Sequence, residues 1–452
     1  MGVVAEFPLP VLAEADDAAR DVRLPALDLT DVPFATLDPP GSRDLDQAYA
    51  LERTSAGFRV RYAIADVASF VRPGGAVDAE AHRRVETLYA PDVRVPLHPP
   101  VLSEGAASLL PGADRPAAVW TLDVDGGGVL TGATVVRAVV RSREQQDYPT
   151  VQRDIDAGAA PVGVALLAEV GRVLLAAQER RGGMTLGVPE QVVLSDDGGY
   201  RLAFRAPLQV EDWNAQLSLL TGMAAARLML DAGVGVLRTM PPAAPHDVHR
   251  LRRTAGGLGI DWPADESYGE LLGRLDARRD HEAAFLAEAA GLFRGAAYVS
   301  FDGAAPTAPL HAAIAAPYAH CTAPLRRLVD RYASETCLAI CAGEPVPDWV
   351  KAALPDLPEE MARGGNLSHR IDNADLNLVE AAVLAGHEGQ VFDGLVVDLD
   401  ERRGGGTVQL ARPAVRGRLE ATHGPLPLGE HLKVRLLEAD VQRRLVRFAP
   451  VS

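Results

Sequence analysis

Apolar and polar residues alternate from Val32 to about residue 142, a pattern that predicts β-strands. Glycine and proline interrupt the alternation at DPPGS, RPGG and LPGADRP, which are typical turn sequences. The clearest strand segments are PFATLD (33–38), FRVRYAIADVASFV (58–71) and PAAVWTLDVD (116–125). This part of the chain is therefore predicted to form a sheet.

A helical period replaces the alternation in the middle of the chain. Its second segment is long and mostly apolar, and we expect it to be central. The fourth has Pro324 in its first turn and Gly343 at its end, as helices often do. The predicted helices cover residues 162–183, 210–233, 280–299, 324–344 and 373–386.

Short strands separated by turns return after Gly386, and such a tail fits a small β-barrel. The first 30 residues are too few for a domain of their own. We therefore predict an α+β protein in three parts: a lead segment (1–30), a large domain with a mixed sheet and surrounding helices (31–385), and a small barrel (386–452).

Composition narrows the class of protein. With 48% hydrophobic and 23% charged residues in 452, the chain is globular rather than disordered or coiled coil. The longest stretch without Asp, Glu, Lys or Arg, residues 303–325, contains four prolines and makes a poor membrane span. Three cysteines and an acidic N-terminal segment without a signal-peptide pattern favour the cytoplasm.

The net charge of −16 argues against a basic coat for nucleic acid but does not exclude a local basic channel. The C-terminal part differs from the rest. Residues 386–452 contain ten Arg or Lys and nine Asp or Glu, a balance of +1. That part is the region whose charge best suits an anionic polymer.

Three carboxylates, Asp38, Asp44 and Asp46, fall within nine residues after a strand and a Pro-Pro-Gly turn. Asp44 and Asp46 point to one face of an extended chain, and the turn can return Asp38 beside them. Grouped carboxylates favour a hard cation such as Mg²⁺ or Mn²⁺, which commonly serves phosphoryl chemistry. Two alternatives remain open: an acidic surface loop, and a metal-dependent enzyme acting on sugar nucleotides.

Arg326 and Arg327 are predicted to lie in the first turn of the fourth helix. Cations are unfavourable at that end of a helix, so a nearby anion such as a phosphate would relieve them. This predicts contact of both arginines with a phosphorylated substrate. The alternative is that they pair with acidic neighbours.

Six ordered motifs resemble the ribonuclease II family, whose catalytic domain is called RNB. They are the aspartate cluster, IADVASFV, VDAEAHRR, ETLYAP, SLLPGADRPA and YAHCTAPLRRLVDRY, within about residues 32–385. The resemblance implies a metal-dependent exoribonuclease that degrades single-stranded RNA from its 3′ end to nucleoside 5′-monophosphates. It also implies that the C-terminal barrel is an S1-like OB-fold.

The resemblance also implies a role for individual residues. Asp38, Asp44 and Asp46 match the metal-binding and catalytic aspartates, with Asp46 the most sensitive. Tyr89 matches an aromatic residue that packs on the terminal nucleotide, and Arg326 an arginine that stabilises the phosphate under attack.

Two further matches lie elsewhere along the chain. Glu380 matches a glutamate at the end of the RNA channel, for which we expect a catalytic role, and Tyr148 matches a channel tyrosine that favours RNA over DNA.

The chain departs from the family pattern in three ways. Gln47 stands where the family usually has a fourth aspartate, which leaves open whether one or two metal ions bind. About 30 residues precede the motifs, where the family has two cold-shock barrels. The strand GTVQL lacks the usual aromatic residue, so we expect RNA contacts from arginines of the barrel, namely Arg402, Arg403, Arg416, Arg418, Arg443 and Arg444.

The sequence therefore predicts a cytoplasmic, monomeric exoribonuclease without a membrane span that uses Mg²⁺ or Mn²⁺ and acts on the 3′ end of single-stranded RNA. The alternative is a catalytically degenerate RNA-binding protein of the same fold, in which Gln47 marks a lost metal site.

Overall fold

The computed structural model of the chain describes residues 4–91, 93–184, 190–196, 199–400, 404–421 and 426–451. Arg402 and Arg403, two of the arginines expected to contact RNA, lie outside these residues. The described chain forms two five-stranded barrels joined by a mainly helical region.

The elements of the first part, in chain order, are α1 (Leu9–Arg20), β1 (Phe34–Asp38), β2 (Gln47–Arg53), β3 (Gly57–Ala65), a 3₁₀ turn (Val67–Ser69), α2 (Ala76–Arg84), β4 (Leu88–Tyr89), β5 (Arg94–Val95), a π-helical turn (Leu102–Ala106), β6 (Asp114–Asp125), β7 (Leu130–Asp147) and α3 (Tyr148–Asp156).

The middle of the chain contains α4 (Val162–Arg180), β8 (Glu190–Asp196), β9 (Gly199–Arg205), α5 (Gln209–Ala232), β10 (Val234–Thr239), α6 (Pro245–Gly257), α7 (Tyr268–Arg274), α8 (Asp280–Ala290), β11 (Ala297–Asp302), β12 (Leu310–His311), β13 (Ala316–Pro317), α9 (Leu328–Ala342), α10 (Asp348–Ala353) and α11 (Leu357–Leu384). The last part contains β14 (Val391–Leu399), β15 (Gly406–Leu410), β16 (Arg416–Leu419), β17 (His431–Asp440) and β18 (Leu445–Pro450).

The first barrel closes because β1 pairs with β2 on one side and with β7 on the other. The β1–β7 pair is parallel and the other pairs are antiparallel, so the sheet is mixed, as predicted. In the β1–β7 register Asp38 lies opposite Asp147, which places Asp38 beside the start of α3. The connection from β1 to β2 is the segment that holds the aspartate cluster.

Trp120 and Tyr62 are fully buried in the main core, which continues into α4, α5 and α9. Alternating strand residues supply one half of this core and helical stripes supply the other. The sequence predicted a central apolar helix at residues 210–233, and α5 confirms it.

Three predicted helices have different bounds in the structure. The helix predicted from residue 280 to 299 ends at Ala290, and residues 297–302 instead pair with β10 as β11. The last helix begins at Leu357 rather than near residue 373. The fourth begins at Leu328, so the prediction that Arg326 and Arg327 lie in its first turn was wrong. Apolar periodicity alone does not reveal these ends, because distant contacts set them.

The second barrel has the strand order β14-β15-β16-β18-β17, and it confirms the predicted small C-terminal barrel. Val379, Ala381 and Leu384 at the end of α11 are buried in the core of this barrel. Leu202 of the β8–β9 hairpin joins the same core. The barrel is therefore packed onto the helical region through an apolar contact.

The lead segment packs against α2. The carboxylate of Glu14 accepts a hydrogen bond from the Ala76 N–H at the start of α2 (2.8 Å). The Arg84 guanidinium lies 3.7 Å from the ring centre of Phe7 and donates to the carbonyl of Glu6 (2.8 Å). The domain limits at residues 30 and 385 stay predictions. Within the described ranges, every helix is too short or too polar to cross a bilayer.

Gly171 of α4 allows α5 to approach closely, since a Cβ at this position would lie 2.3 Å from the Cβ of Trp213. We predict that Gly171→Ala lowers the free energy of unfolding by about 1–3 kcal/mol despite the better helix propensity of alanine, because of overpacking. Gly163→Ala on the same helix is the control, since its Cβ would meet no atom within 4 Å. Denaturant unfolding of both variants tests this, and equal stabilities would contradict it.

Candidate active site

A cleft of about 670 Å³ opens at the end of the first barrel, where β1 ends and β2 begins. The segment between these strands forms one wall, and Arg326, from the turn before α9, lies across from it. The lining residues are Asp38, Pro39, Pro40, Gly41, Ser42, Arg43, Asp44, Asp46, Gln47, Tyr89, Arg94, Glu104, Tyr148 and Arg326. The structure thus brings together all but two of the predicted site residues, and the exceptions are Arg327 and Glu380.

Asp38 ends β1 and directs a carboxylate into the cleft. Its Oδ2 atom is buried and has no hydrogen-bond partner in the part of the chain that the structure describes. Burial raises the pKa of Asp38 to about 6, although the charge of Arg326 opposes this shift. A buried carboxylate oxygen without a donor is a site where a cation would be stabilised.

Asp44 lies at the mouth of the cleft and is held by two residues. The Arg94 guanidinium donates to its Oδ1 (2.7 Å), and the Tyr89 hydroxyl lies 3.4 Å from its Oδ2. Arg94 also pairs with Glu104. Tyr89 leaves 47% of its surface exposed, so its ring is available to a ligand.

Asp46 is the most buried of the three aspartates, with 3% of its surface exposed. Its Oδ1 accepts the Leu325 N–H (2.8 Å), and its Oδ2 lies 3.2 Å from the Nε of Arg326. Burial raises the pKa of Asp46 to about 7, against the opposing effects of Arg326 and the Leu325 N–H. Asp46 therefore holds Arg326 at the cleft while half of that guanidinium side chain stays exposed.

The three aspartates share the cleft but do not form a ready metal cluster. Among the described residues, no group of three or more His, Cys, Asp or Glu side chains is arranged to hold a metal ion. Asp44 is paired with Arg94, and Asp46 is paired with Arg326. The carboxylate oxygens of the cleft, and above all the partnerless Oδ2 of Asp38, are nevertheless suitable ligands for a hard cation such as Mg²⁺.

Tyr148, the first residue of α3, lines the cleft next to Asp38. Its hydroxyl oxygen accepts a hydrogen bond from Nδ2 of Asn214 (3.1 Å). Burial and then the charge of Asp38 raise the pKa of Tyr148 to about 12, so its hydroxyl stays protonated. Because Asn214 supplies the donor, the Tyr148 proton is free to point toward a ligand.

Arg327 does not line the cleft. It forms a two-point ion pair with Asp330 of α9, with Nε 2.5 Å from Oδ2 and the second nitrogen 2.9 Å from Oδ1. The same Asp330 accepts the Ala323 N–H (2.7 Å). Of the two readings of Arg327, the structure favours pairing with an acidic neighbour. Contact of Arg327 with substrate stays a prediction without structural support.

Glu380 lies at the contact between α11 and the second barrel, away from the aspartate cleft. Its Oε1 accepts hydrogen bonds from Nε2 of Gln191 and from the Arg416 N–H, each at 2.7 Å. Burial raises its pKa, while these two donors oppose the shift. The geometry assigns Glu380 an anchoring position between α11, β8 and β16, and its predicted catalytic role stays untested.

A second cleft, of about 780 Å³, separates the second barrel from α6 and α8. Its lining includes four carboxylates, those of Glu288, Glu380, Asp398 and Asp400, and three barrel arginines that were expected to contact RNA, namely Arg416, Arg418 and Arg444. Arg250 and Arg294 face them from the helical side and were not expected from the sequence. Arg443 is absent from this lining and pairs with Glu438.

Sequence reasoning missed Arg94, Glu104 and Asn214. Arg94 contacts Asp44 across 50 positions, and Asn214 contacts Tyr148 across 66. No spacing pattern reports such pairs. The one available signal was the isolated arginine in the proline-rich loop after ETLYAP.

The fold and the site together define a class of protein: a mixed barrel with an acidic, arginine-bearing cleft at one end, followed by a second, smaller barrel. A family model described as the RNB domain matches residues 26–340. A model described as the RNase II-type exonuclease C-terminal S1 domain matches residues 390–451. The chain belongs to the RNB family and carries this S1 domain, which confirms the membership that its motifs predicted.

Individual proteins show the same relationship. Ribonuclease R of Escherichia coli (strain K12) is 29% identical over 334 residues, which cover 70% of this chain and 40% of that protein. The chain thus spans less than half the length of that relative. Mycoplasma genitalium RNase R, solved in complex with ribose methylated single-stranded RNA, matches with a TM-score of 0.87 at 19% identity and covers 99% of this chain and 76% of its own.

Yeast Ssd1, described as a pseudonuclease, has the same fold. It matches with a TM-score of 0.74 at 16% identity and covers 94% of this chain and 54% of its own. The fold alone therefore does not decide between a nuclease and a protein without catalysis.

The raised pKa of Asp46 predicts a pH-dependent stability in the metal-free protein. A carboxyl whose pKa is higher in the folded state lowers stability as pH rises from its unfolded pKa, near 4, through its folded pKa, about 7. An asparagine at position 46 does not titrate in this pH range. Between pH 5 and pH 8, Asp46→Asn should therefore gain roughly 2–3 kcal/mol of stability relative to the unsubstituted protein.

Chemical denaturation across this pH range, with EDTA present, measures that gain. The control is Asp123→Asn, which removes an exposed partner of Arg59. A difference between Asp46→Asn and the unsubstituted protein that does not change with pH would contradict the prediction.

The two bonds to Glu380 give a second prediction. Glu380→Ala removes the acceptor of the Arg416 N–H and should cost about 1–3 kcal/mol, while Nε2 of Gln191 keeps its bond to the Ala414 carbonyl (2.9 Å). Glu380→Gln keeps Oε1, which accepts both bonds, and should change stability much less. Thermal unfolding of the two variants tests this, and an Ala variant as stable as the Gln variant would rule out the anchoring role.

Proposed function

We propose that the protein is a metal-dependent exoribonuclease that hydrolyses single-stranded RNA from its 3′ end to nucleoside 5′-monophosphates, acting as a cytoplasmic monomer. The observation that carries the proposal is the pairing of Asp46 with Arg326 beside the partnerless Oδ2 of Asp38. Within one cleft, this arrangement offers a site for a metal cation and a positively charged side chain that can bind a phosphate.

Asp38 and Asp46 would hold Mg²⁺ or Mn²⁺, with Asp44 at the mouth of the cleft. When bound, the metal would supply an activated water and neutralise charge on the phosphate. Arg326 would donate hydrogen bonds to the phosphate oxygens, which gain charge in the transition state. Because Asp46 already holds the Nε side of Arg326, the other nitrogens of its guanidinium remain for this contact.

Tyr89 and Tyr148 would fix the terminal nucleotide. A half-exposed aromatic face at the mouth of the cleft stacks on any base, which suits an enzyme that removes each nucleotide in turn. The Tyr148 hydroxyl, which accepts a hydrogen bond from Asn214, would donate its own proton to an oxygen of the ribose or phosphate. A donor to the 2′-hydroxyl is one means of telling RNA from DNA.

The second barrel would hold the RNA upstream of the cut. Five arginines and four carboxylates line the cleft between this barrel and the helical region, so cations outnumber anions there in a chain whose net charge is −16. Local arginines on facing walls attract a phosphate backbone even when the whole protein is acidic. The M. genitalium RNase R was solved with single-stranded RNA, which supports the same class of ligand here.

The second candidate function is RNA binding without catalysis. It is favoured by the absence, among the described residues, of a ready three-ligand metal site. Against it stand the three cleft aspartates and Arg326, since a protein that only binds a polyanion gains nothing from a buried, partnerless carboxylate oxygen.

A time course with 5′-labelled single-stranded RNA distinguishes the two candidates. In Mg²⁺ or Mn²⁺ we expect shortening from the 3′ end to a small limit product, with release of nucleoside 5′-monophosphates. Asp46→Asn and EDTA should abolish it, and Arg326→Ala should lower kcat by roughly 100-fold or more. Asp123→Asn, outside the cleft, should be unaffected. RNA binding with no cleavage in any metal would overturn the nuclease and leave the second candidate.

A further inference from the structure

Two neighbouring residues at the start of β2 hold the segment that carries Arg326. Asp46 accepts the Leu325 N–H. Gln47 donates from its Nε2 to the carbonyl of Thr322 (2.7 Å). Residues 322–326 are thus attached at two points to the barrel wall opposite them, and Arg326 projects from the end of this segment.

The oxygen of the Gln47 amide also takes part in hydrogen bonds. Its Oε1 accepts a hydrogen bond from the hydroxyl of Tyr62 (2.5 Å) and a longer one from Oγ of Ser218 (3.3 Å). The Tyr62 and Ser218 hydroxyls lie 3.0 Å apart. Tyr62 is buried in β3 and Ser218 belongs to α5, so Gln47 joins two strands, a central helix and the Arg326 segment.

These contacts need an amide. The Thr322 carbonyl requires a donor, which an ionised carboxylate lacks. The Tyr62 hydroxyl needs an acceptor, which Oε1 of Gln47 provides, and the Ser218 hydroxyl lies within reach of both oxygens. Both ends of the side chain are therefore engaged within the protein, although Gln47 lines the same cleft as the aspartates.

We propose that Gln47 is a positioning residue, which holds residues 322–326 so that Arg326 stays against Asp46, and that it does not bind the metal ion. This inference rests on the proposed function for its effect on catalysis. Its structural part, the attachment of residues 322–326 by an uncharged amide, is independent of any activity.

Two substitutions separate positioning from metal binding. Gln47→Glu keeps the size and the acceptor but loses the donor to Thr322. Gln47→Ala loses both. The control is Gln216→Ala. Gln216 is a buried residue of α5, and its amide nitrogen donates to Oε1 of Gln178 (2.9 Å), away from the cleft.

Three measurements are made on each full-length variant: hydrogen–deuterium exchange of the metal-free protein, Mn²⁺ binding by calorimetry, and kcat and KM with RNA. We expect faster exchange at the amides of Ala323 and Leu325 in both Gln47 variants, and an unchanged Mn²⁺ affinity in Gln47→Ala, which adds no charge to the cleft. The kcat should fall by roughly 10- to 100-fold with little change in KM, because misplacing a catalytic group by about 1 Å costs on that order. Gln216→Ala should alter none of the three.

A role of Gln47 as a metal ligand predicts a different set of results. If Gln47 is a metal ligand, Gln47→Ala should bind Mn²⁺ more weakly and the exchange of residues 322–326 should not change; this would overturn the proposal. If the unsubstituted protein has no nuclease activity, the exchange and calorimetry still decide the role of Gln47. If Gln47→Ala does not fold, the exchange of residues 322–326 in the isosteric Gln47→Glu decides the role, and unchanged exchange overturns the proposal.

Discussion

The carboxylate of Asp46 is the point on which the candidate site depends. It lies at the end of the segment that joins β1 to β2, yet its hydrogen bonds go to Leu325 and Arg326, some 280 positions away. Burial makes its charge costly, and the Arg326 guanidinium and the Leu325 N–H offset part of that cost. A buried charge that is held in this way fixes the position of both partners, because moving either would leave the other uncompensated.

Further hydrogen bonds and ion pairs extend outward from the Asp46–Arg326 pair. Gln47, next in the chain, attaches the Arg326 segment to β3 and α5, and Asp330 attaches it to the start of α9. Asp44 is held separately, by Arg94. The cleft is thus built from paired charges, with Asp38 as the carboxylate that retains a free oxygen. That inequality among three similar residues is what makes the site suited to a cation.

Each barrel borders one of the two clefts. The first ends in an acidic cleft with a half-exposed tyrosine, and the second faces the helical region across a cleft lined by five arginines and four carboxylates. Glu380 ties the second barrel to α11 by accepting a backbone N–H from β16.

The sequence by itself indicated that strands dominate the first part, although the strand predicted over residues 58–71 ends at Ala65. It also determined the apolar central helix, the small C-terminal barrel, the family and the aspartates of the cleft. These features depend on local periodicity or on motifs of adjacent residues, which the linear order displays directly. Only the tertiary structure decided that Arg327 pairs with Asp330, that Glu380 anchors a barrel, and that Arg94, Asn214 and Gln47 support the cleft. Each of these depends on where strand register and helix ends place side chains, and for most of them the partners lie tens to hundreds of positions apart. Such contacts follow from packing of the whole chain, so no local pattern encodes them.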